Sequence, residues 1–507
     1  MKIEVIIEMR NYFSILLLIC CNTVYAQIND LNADYEAFKK QTLQEYNDYR
    51  SRVNKEYVDF IKKSWEEYKG IKPTPLPKEE ELPPVIIDEE EKNKEKENKP
   101  VVIEEVIDIP KPSPQPKPVF PIEEQLEPIS KTFDFTIYGT FFSVRLSNEH
   151  KFQLRDLQME TIANMWEVLA SVKYNNVIKD CLDIRGKYKL CDWAYLRMLD
   201  EMCNSFLGKQ TDESELLKAY IYSQSGYQMR LAIANNRLYM LYASQHYMFY
   251  RGYWEIDGMY YYADNCPAEQ IQICPASYPY EKALSLYIST EQLFSYNQTD
   301  SRTIQSSDVD WLKAIVSENQ NLLDFCTDYP TSCIGENFMT RWVMYANMPL
   351  SNNVKNQLYP QFKRIFSDIK SSLIQEGVDQ RNLIPACVEA LCHWIQTGFV
   401  YEYDDKVWGK DRAFFADETL FYPYCDCEDR SILFTRMVRD LLGLNCALVY
   451  YPGHLATAIA LGEDVKGDFI RINGIKYLIC DPTYIGAPIG LTMKGMDNKS
   501  AKVILLN

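Results

Sequence analysis

Thirteen of the chain's 24 prolines fall between residues 70 and 128. That density rules out a helix or a sheet interior there, because each proline lacks an N–H and has its φ fixed. The intervening runs, such as 88–99, are rich in Lys and Glu. Such a stretch buries too little apolar surface to fold alone, so residues 70–128 are expected to be a disordered, largely extended linker. Pro110, Pro112, Pro114, Pro116 and Pro118 alternate with other residues, as in a stiff spacer rather than a recognition motif. The linker separates an N-terminal arm from a long remainder. With 507 residues in all, more than one domain is expected, since single cores stop growing at roughly 250–300 residues.

Ahead of the linker, residues 1–26 read as a signal peptide. Arg10 supplies the charge, 12–20 the apolar stretch, and Val24-Tyr25-Ala26 the small-residue cleavage site before Gln27. Met9 has the look of the natural start. Ile19 ahead of Cys20-Cys21 disfavours a lipoprotein signal, so release is expected over lipid anchoring, into a periplasm or to a cell surface. The apolar run is too short to span a bilayer, and no later segment is long enough. Residues 27–69 form the arm, whose stretch from 31 has no Pro or Gly before Gly70. Tyr35, Tyr46, Tyr57 and Tyr68 recur in it every 11 residues, with Phe38, Tyr49 and Phe60 on the same stripe. An 11-residue period keeps a stripe nearly straight along a helix. The expectation is one long amphipathic helix, either packed on its own chain or used for self-association.

A net charge of −17 argues against a nucleic-acid partner, which needs clustered Lys and Arg. Export makes the 13 cysteines after residue 26 candidates for disulfides. Cys266 with Cys274, and Cys326 with Cys333, could each close a short loop; the alternative is that most are small buried apolar residues. Residues 129–350 read as an α+β middle region. Two short strands within 133–146 precede helical patterns near 154–171, 191–206 and 212–224. Strand-like segments follow at 227–234, 237–243, 252–256 and 259–263, with turn signals at Asn235-Asn236 and Asp257-Gly258.

The chemistry is concentrated in residues 351–507. Tyr422-Pro423-Tyr424-Cys425-Asp426-Cys427-Glu428-Asp429 precedes apolar residues at helical spacing, from Ile432 to Leu442, and then Gly443, a helix stop. Cys427 therefore opens a buried helix, where the unpaired N–H groups and the dipole favour a thiolate; Glu428 and Asp429 oppose this. Strand patterns follow, carrying Pro452-Gly453-His454 at the head of one and Asp481-Pro482-Thr483 at the end of another, with an Asn473-Gly474 turn between them. A helix-borne Cys followed by strand-borne His and Asp is the order that an activated thiol requires. Cys425 is the second candidate nucleophile. A Cys425/Cys427 metal site lacks structural-zinc spacing, and no Asp-rich loop has calcium spacing, so no cofactor is expected. His393 reads as a packing residue and Arg430 as a partner for local carboxylates.

The C-E-D helix start, the H-x-A-x-A strand and the D-P-T end resemble the transglutaminase-like superfamily, and the Asp-Cys-Glu-Asp version is similar to its bacterial thiol-proteinase members. The resemblance spans roughly residues 375–495. It implies a papain-like α+β fold, with Cys427 as nucleophile, His454 as general base and acid, and Asp481 orienting the imidazole. It also implies an oxyanion hole made by the Cys427 N–H and an upstream side chain, for which Tyr424 and Trp408 are the candidates. Where many members carry Trp shortly before the Asp, this chain has Tyr477. The implied function is an exported cysteine peptidase or amidase acting on a protein or peptide; amine transfer through the same acyl-enzyme, and a non-catalytic surface-binding protein, are the alternatives.

The middle region repeats the succession of elements seen around Cys427. Gly226 and Gly258 lie 217 and 216 residues before Gly443 and Gly474. Gln210 or Thr211 would then stand where Cys427 stands, and Arg237 or Leu238 opposite His454. A duplicated unit that lost catalysis, and the chance likeness of any helix followed by hairpins, are both open at this level. Different strand orders in the two units would end the first.

Overall fold

The structure, a computed structural model, describes residues 34–506 apart from 46, 79, 93–95, 104, 110–113, 119–130, 268 and 279–280. The signal-peptide reading at 1–26 lies outside the described residues. The fold is mixed α+β. Its main helices are α1 (Met159–Leu169), α2 (Asn175–Lys187), α3 (Asp192–Leu207), α4 (Asp212–Gln224), α5 (Gln320–Asp328), α6 (Arg341–Asn347), α7 (Asn352–Gln375), α8 (Leu383–Gly398), α9 (Ala416–Phe421) and α10 (Cys427–Leu442). We number the strands of the two large sheets β1 (Glu66–Lys69), β2 (Lys99–Pro100), β3 (Glu105–Ile107), β4 (Met229–Ala234), β5 (Arg237–Ser244), β6 (Tyr253–Ile256), β7 (Met259–Tyr262), β8 (Gln270–Ile273), β9 (Cys446–Tyr451), β10 (His454–Ile459), β11 (Asp468–Ile472), β12 (Ile475–Cys480) and β13 (Lys502–Leu505).

Local chemistry explains the boundaries. Thr211 caps α4 by accepting from the Ser214 N–H, and Asp212, Glu213 and Glu215 favour the positive end of its dipole. Asp426 caps α10 in a reciprocal box with Asp429, and Gly443 ends that helix at φ 66°. The three hairpin turns read from the sequence all form. Asn235-Asn236, Asp257-Gly258 and Asn473-Gly474 each have positive φ at both positions, the geometry whose twist matches antiparallel strands.

The first sheet has the order β1-β8-β4-β5-β7-β6, and the second β3-β13-β9-β10-β12-β11-β2. Each is built the same way. A helix (α4 or α10) leads into a hairpin (β4–β5 or β9–β10), a second hairpin (β6–β7 or β11–β12) joins through its later strand, and the last strand (β8 or β13) returns beside the first. All of these pairings are antiparallel in both sheets. At the start of α4 and β5, Asp212 and Arg237 form an ion pair at 3.3 Å, in the places that Cys427 and His454 take on α10 and β10.

No linker separates the two units at residue 350. One apolar core runs through Trp166, Trp193 and Tyr242 of the first unit, across Trp342 and Tyr345 of α6, to Phe415, Ile432, Leu448 and Tyr450 of the second. A second core fills the space between α7, α8, α10 and the same face of the second sheet, through Cys446, Ile459, Leu478 and Cys480.

The proline-rich stretch departs from the disordered linker expected of it. Its described residues are mostly extended, as the prolines dictate, with one helical turn at Glu89–Lys92, but they lie along the body as a strap. Leu76, Ile87, Val101 and Ile109 are buried, and β2 and β3 occupy the two edges of the second sheet. Composition misleads here because an extended chain needs no core of its own when it adds to existing sheet edges. The few apolar residues between the prolines then suffice as anchors. The N-terminal helix is also shorter than expected. It covers 34–45 and 47–61, the chain turns, and 66–69 becomes β1 on the first sheet. Tyr57 stacks between Trp166 and Tyr278, and Arg50 donates to the Tyr220 hydroxyl, so this half of the stripe packs on its own chain while Tyr35 and Phe38 stay exposed. Cys274, Cys326 and Cys333 are free thiols, so neither of the two short loops is closed by a disulfide.

Candidate functional site

Cys427 is the first residue of α10, and His454 the first of β10. Two contacts bring them together. The Ser431 hydroxyl, one turn along α10, donates to the Leu455 carbonyl at 2.8 Å, and the Leu455 N–H donates to the Cys427 sulfur. Asp481 follows the end of β12, which pairs with β10. Its Oδ2 lies 2.8 Å from His454 Nε2, while Oδ1 accepts from the Thr483 N–H at 2.8 Å and the Tyr484 N–H at 3.2 Å. Its main-chain oxygen accepts from Gln396 of α8 at 2.9 Å. Asp481 is thus held at its carboxylate by two main-chain N–H groups and at its backbone by Gln396, and its carboxylate holds the imidazole. His454 Nδ1, the other ring nitrogen, is buried with no hydrogen-bond partner among the described residues.

Cys427 and His454 line one small cavity of about 30 Å³ with Glu81, Arg341, Trp342, Asp411, Glu428 and Tyr450. Two donors of the residues in its wall, Arg341 Nε and Trp342 Nε1, are buried with no hydrogen-bond partner among the described residues. Arg341 is otherwise committed: it lies 3.9 Å over the Trp342 ring, donates to the Phe338 carbonyl and pairs with Asp411 at 3.4 Å. The Cys427 thiol donates to Glu428 Oε2 at 3.2 Å. Burial first, then Glu428 and Asp426, push the thiol well above its ordinary range. The helix terminus alone would favour a thiolate, but here burial and the neighbouring carboxylates prevail. Cys427 rests as a thiol in this arrangement.

Carboxylates crowd the helix start, and two of them, Asp411 and Glu428, reach the cavity wall. Asp404, Asp411 and Glu428 come within 4.8 Å of one another, and so do Asp404, Asp426 and Asp429. Burial, followed by Glu428, raises Asp404 to about 9 and Asp426 well above its usual value. Burial, then Glu428, Asp411 and Asp405, raises Glu81 to about 7, with Arg341 opposing. Groups this close share protons or a cation. No sequence spacing announces the cluster, because its members come from two segments more than a dozen residues apart.

The remaining sequence candidates fall elsewhere. Tyr424 sits on a short strand paired with Val400 and is 41 % exposed; it does not line the cavity. Trp408 packs against Phe414 and Tyr422, away from the sulfur. Neither Tyr424 nor Trp408 is among the residues that line the cavity. Cys425 is buried in the second core. Arg430, expected to pair with carboxylates, donates instead to the Gln396 and Phe399 carbonyls and covers the Tyr401 ring. His393 lies 3.8 Å from Asp308 on α8, outside the site. The sequence reading missed Arg341, Trp342, Tyr450 and Glu81, which come from α6, β9 and the strap and carry no motif. Comparison with protein-family models, with curated proteins and with solved structures gives no match.

Proposed function

We propose that the chain is an exported cysteine peptidase or amidase of transglutaminase-like type, with Cys427 as nucleophile, His454 as base and acid, and Asp481 as orienter. One observation carries the reading. The His454–Asp481 bond at 2.8 Å uses Nε2, which leaves the unpartnered Nδ1 as the nitrogen for a thiol lining the same cavity. The signal-like residues 1–26 support export, and the shared strand order supports a duplicated fold in which the first copy, with Asp212 and Arg237 in the two key places, has no thiol chemistry.

In this reaction His454 Nδ1 takes the thiol proton as sulfur attacks a substrate carbonyl. Two donors are suited to the oxyanion, the Cys427 N–H at the helix start and Trp342 Nε1, which replaces Tyr424 and Trp408 as the upstream side chain. The imidazolium, stabilised by Asp481, gives its proton to the departing amine as the C–N bond breaks. Water, deprotonated by the same imidazole, then opens the thioester and restores the thiol.

The test is mass-spectrometric mapping of iodoacetamide labelling on native protein from pH 5 to 9, with the other twelve thiols as internal references. Cys427 in the parent is expected to label at least ten times faster near pH 7 than in His454→Ala. Equal rates in the two proteins would sink the assignment.

A further inference from the structure

The strap crosses the candidate site at residues 80–82. The Leu82 N–H donates to the Gly453 carbonyl at 2.9 Å, one residue before His454. Glu80 runs so close over Gly453 that a Cβ there would meet its carbonyl oxygen at 2.2 Å. The Glu81 side chain enters the cavity of Cys427 and His454. Both flanks are anchored. Upstream, Ile71 exchanges two hydrogen bonds with Tyr253, the Thr74 carbonyl accepts from the Tyr250 N–H, and Leu76 is buried. Downstream, Val85 and Ile87 pair with Ile485, four residues beyond Asp481, and Ile87 packs against Tyr484, Ala487 and Met493. The main chain therefore passes over the nucleophile in extended form, as a bound peptide would.

As an occupant it is poorly matched in charge. Without Glu81 the cavity wall holds two carboxylates, Asp411 and Glu428, against one cation, Arg341, which is already paired with Asp411. Glu81 adds a third carboxylate to that wall, with Asp405 also nearby. A basic side chain at the same place would meet Asp411 and Glu428 instead of repelling them.

We propose that the cleft beside Cys427 and His454 binds an extended peptide segment carrying a basic side chain, and that residues 80–82 fill it as a displaceable plug of the chain's own. The proposal rests on the peptidase reading for the meaning of the cleft, but its occupancy is tested separately. Labelling of Cys427 by iodoacetamide is compared in four full-length proteins: the parent, His454→Ala, Glu81→Ala/Leu82→Pro, and all three substitutions together. Leu82→Pro removes the N–H that reaches Gly453.

Release of the plug raises the Cys427 rate at least tenfold on either His454 background, whereas the catalytic reading is the ratio between the two backgrounds. Each idea can thus fail alone. A chain nicked at a protease site inserted between Pro77 and Lys78 keeps every strap residue and provides the same comparison if the double variant misfolds. A synthetic peptide of residues 78–84 added to the opened protein slows labelling, and the peptide with Lys at the Glu81 position slows it at lower concentration. Unchanged labelling in both the double variant and the nicked chain overturns the plug. Equal or weaker competition by the Lys peptide overturns the charge preference.

Discussion

Asp481 accepts two main-chain N–H groups on one oxygen and His454 on the other, so its replacement tests orientation rather than packing. Asp481→Asn keeps the shape and favours the wrong imidazole tautomer. We expect Cys427-dependent hydrolysis to fall by about 10³- to 10⁴-fold, with the melting temperature nearly unchanged. A second single-residue prediction concerns His246, whose Nδ1 accepts from the Leu286 N–H. Burial lowers its pKa to about 4. The unfolded chain binds that proton first as pH falls from about 6.5, so His246 withdraws stability between about 6.5 and 4, amounting to roughly 2 kcal/mol between pH 7 and pH 5. Urea unfolding of the parent and His246→Gln at both pH values measures it; equal pH dependence in the two would refute it. At this scale the meeting of Cys427, His454 and Asp481 in space was readable, because each sits in a motif on its own element, in the right order. Arg341, Trp342 and Glu81 were not, because nothing in their spacing connects them to the sulfur. Only the folded path of α6 and the strap does so.

Among elements, the hairpins and α10 were the most legible parts. Asn-Gly and Asp-Gly pairs demand positive φ, and apolar residues at helical spacing that run to Gly443 mark α10 and its end. Gly443→Ala forces an alanine into φ 66° and should cost about 1 kcal/mol by urea unfolding, without altering Cys427 labelling. The N-terminal helix was misread in length because its aromatic period continues past residue 61, whereas Trp65 turns inward and Glu66–Lys69 finds a free strand edge. Its docking rests on Tyr57, which is 2 % exposed between two rings. Tyr57→Ala should destabilise the fold by about 3 kcal/mol and open residues 34–61 to limited proteolysis. Unchanged cleavage would mean that the helix is held by other contacts.

For the whole molecule, the division at 350/351 drawn from the sequence cuts through a continuous core. A fragment of residues 351–507 lacks α6 under α10 and both edge strands of its sheet. We expect it to show poor chemical-shift dispersion and to bind a hydrophobic dye, whereas the whole chain unfolds in one transition. An independently folded fragment with a sharp melt would contradict this. The strands that complete the second sheet, β2 and β3, come from residues 99–107, and their partners from 446–505. Ribosomes finish the two ends far apart in time. The early part must therefore wait, without those sheet partners, until almost the whole chain has been made. When β10 and β12 finally assemble and bring His454 and Asp481 together, the segment that covers them has long been present. The strap segment thus exists before the cavity that it lines, and no stage of synthesis brings Cys427 and His454 together in a chain that lacks it.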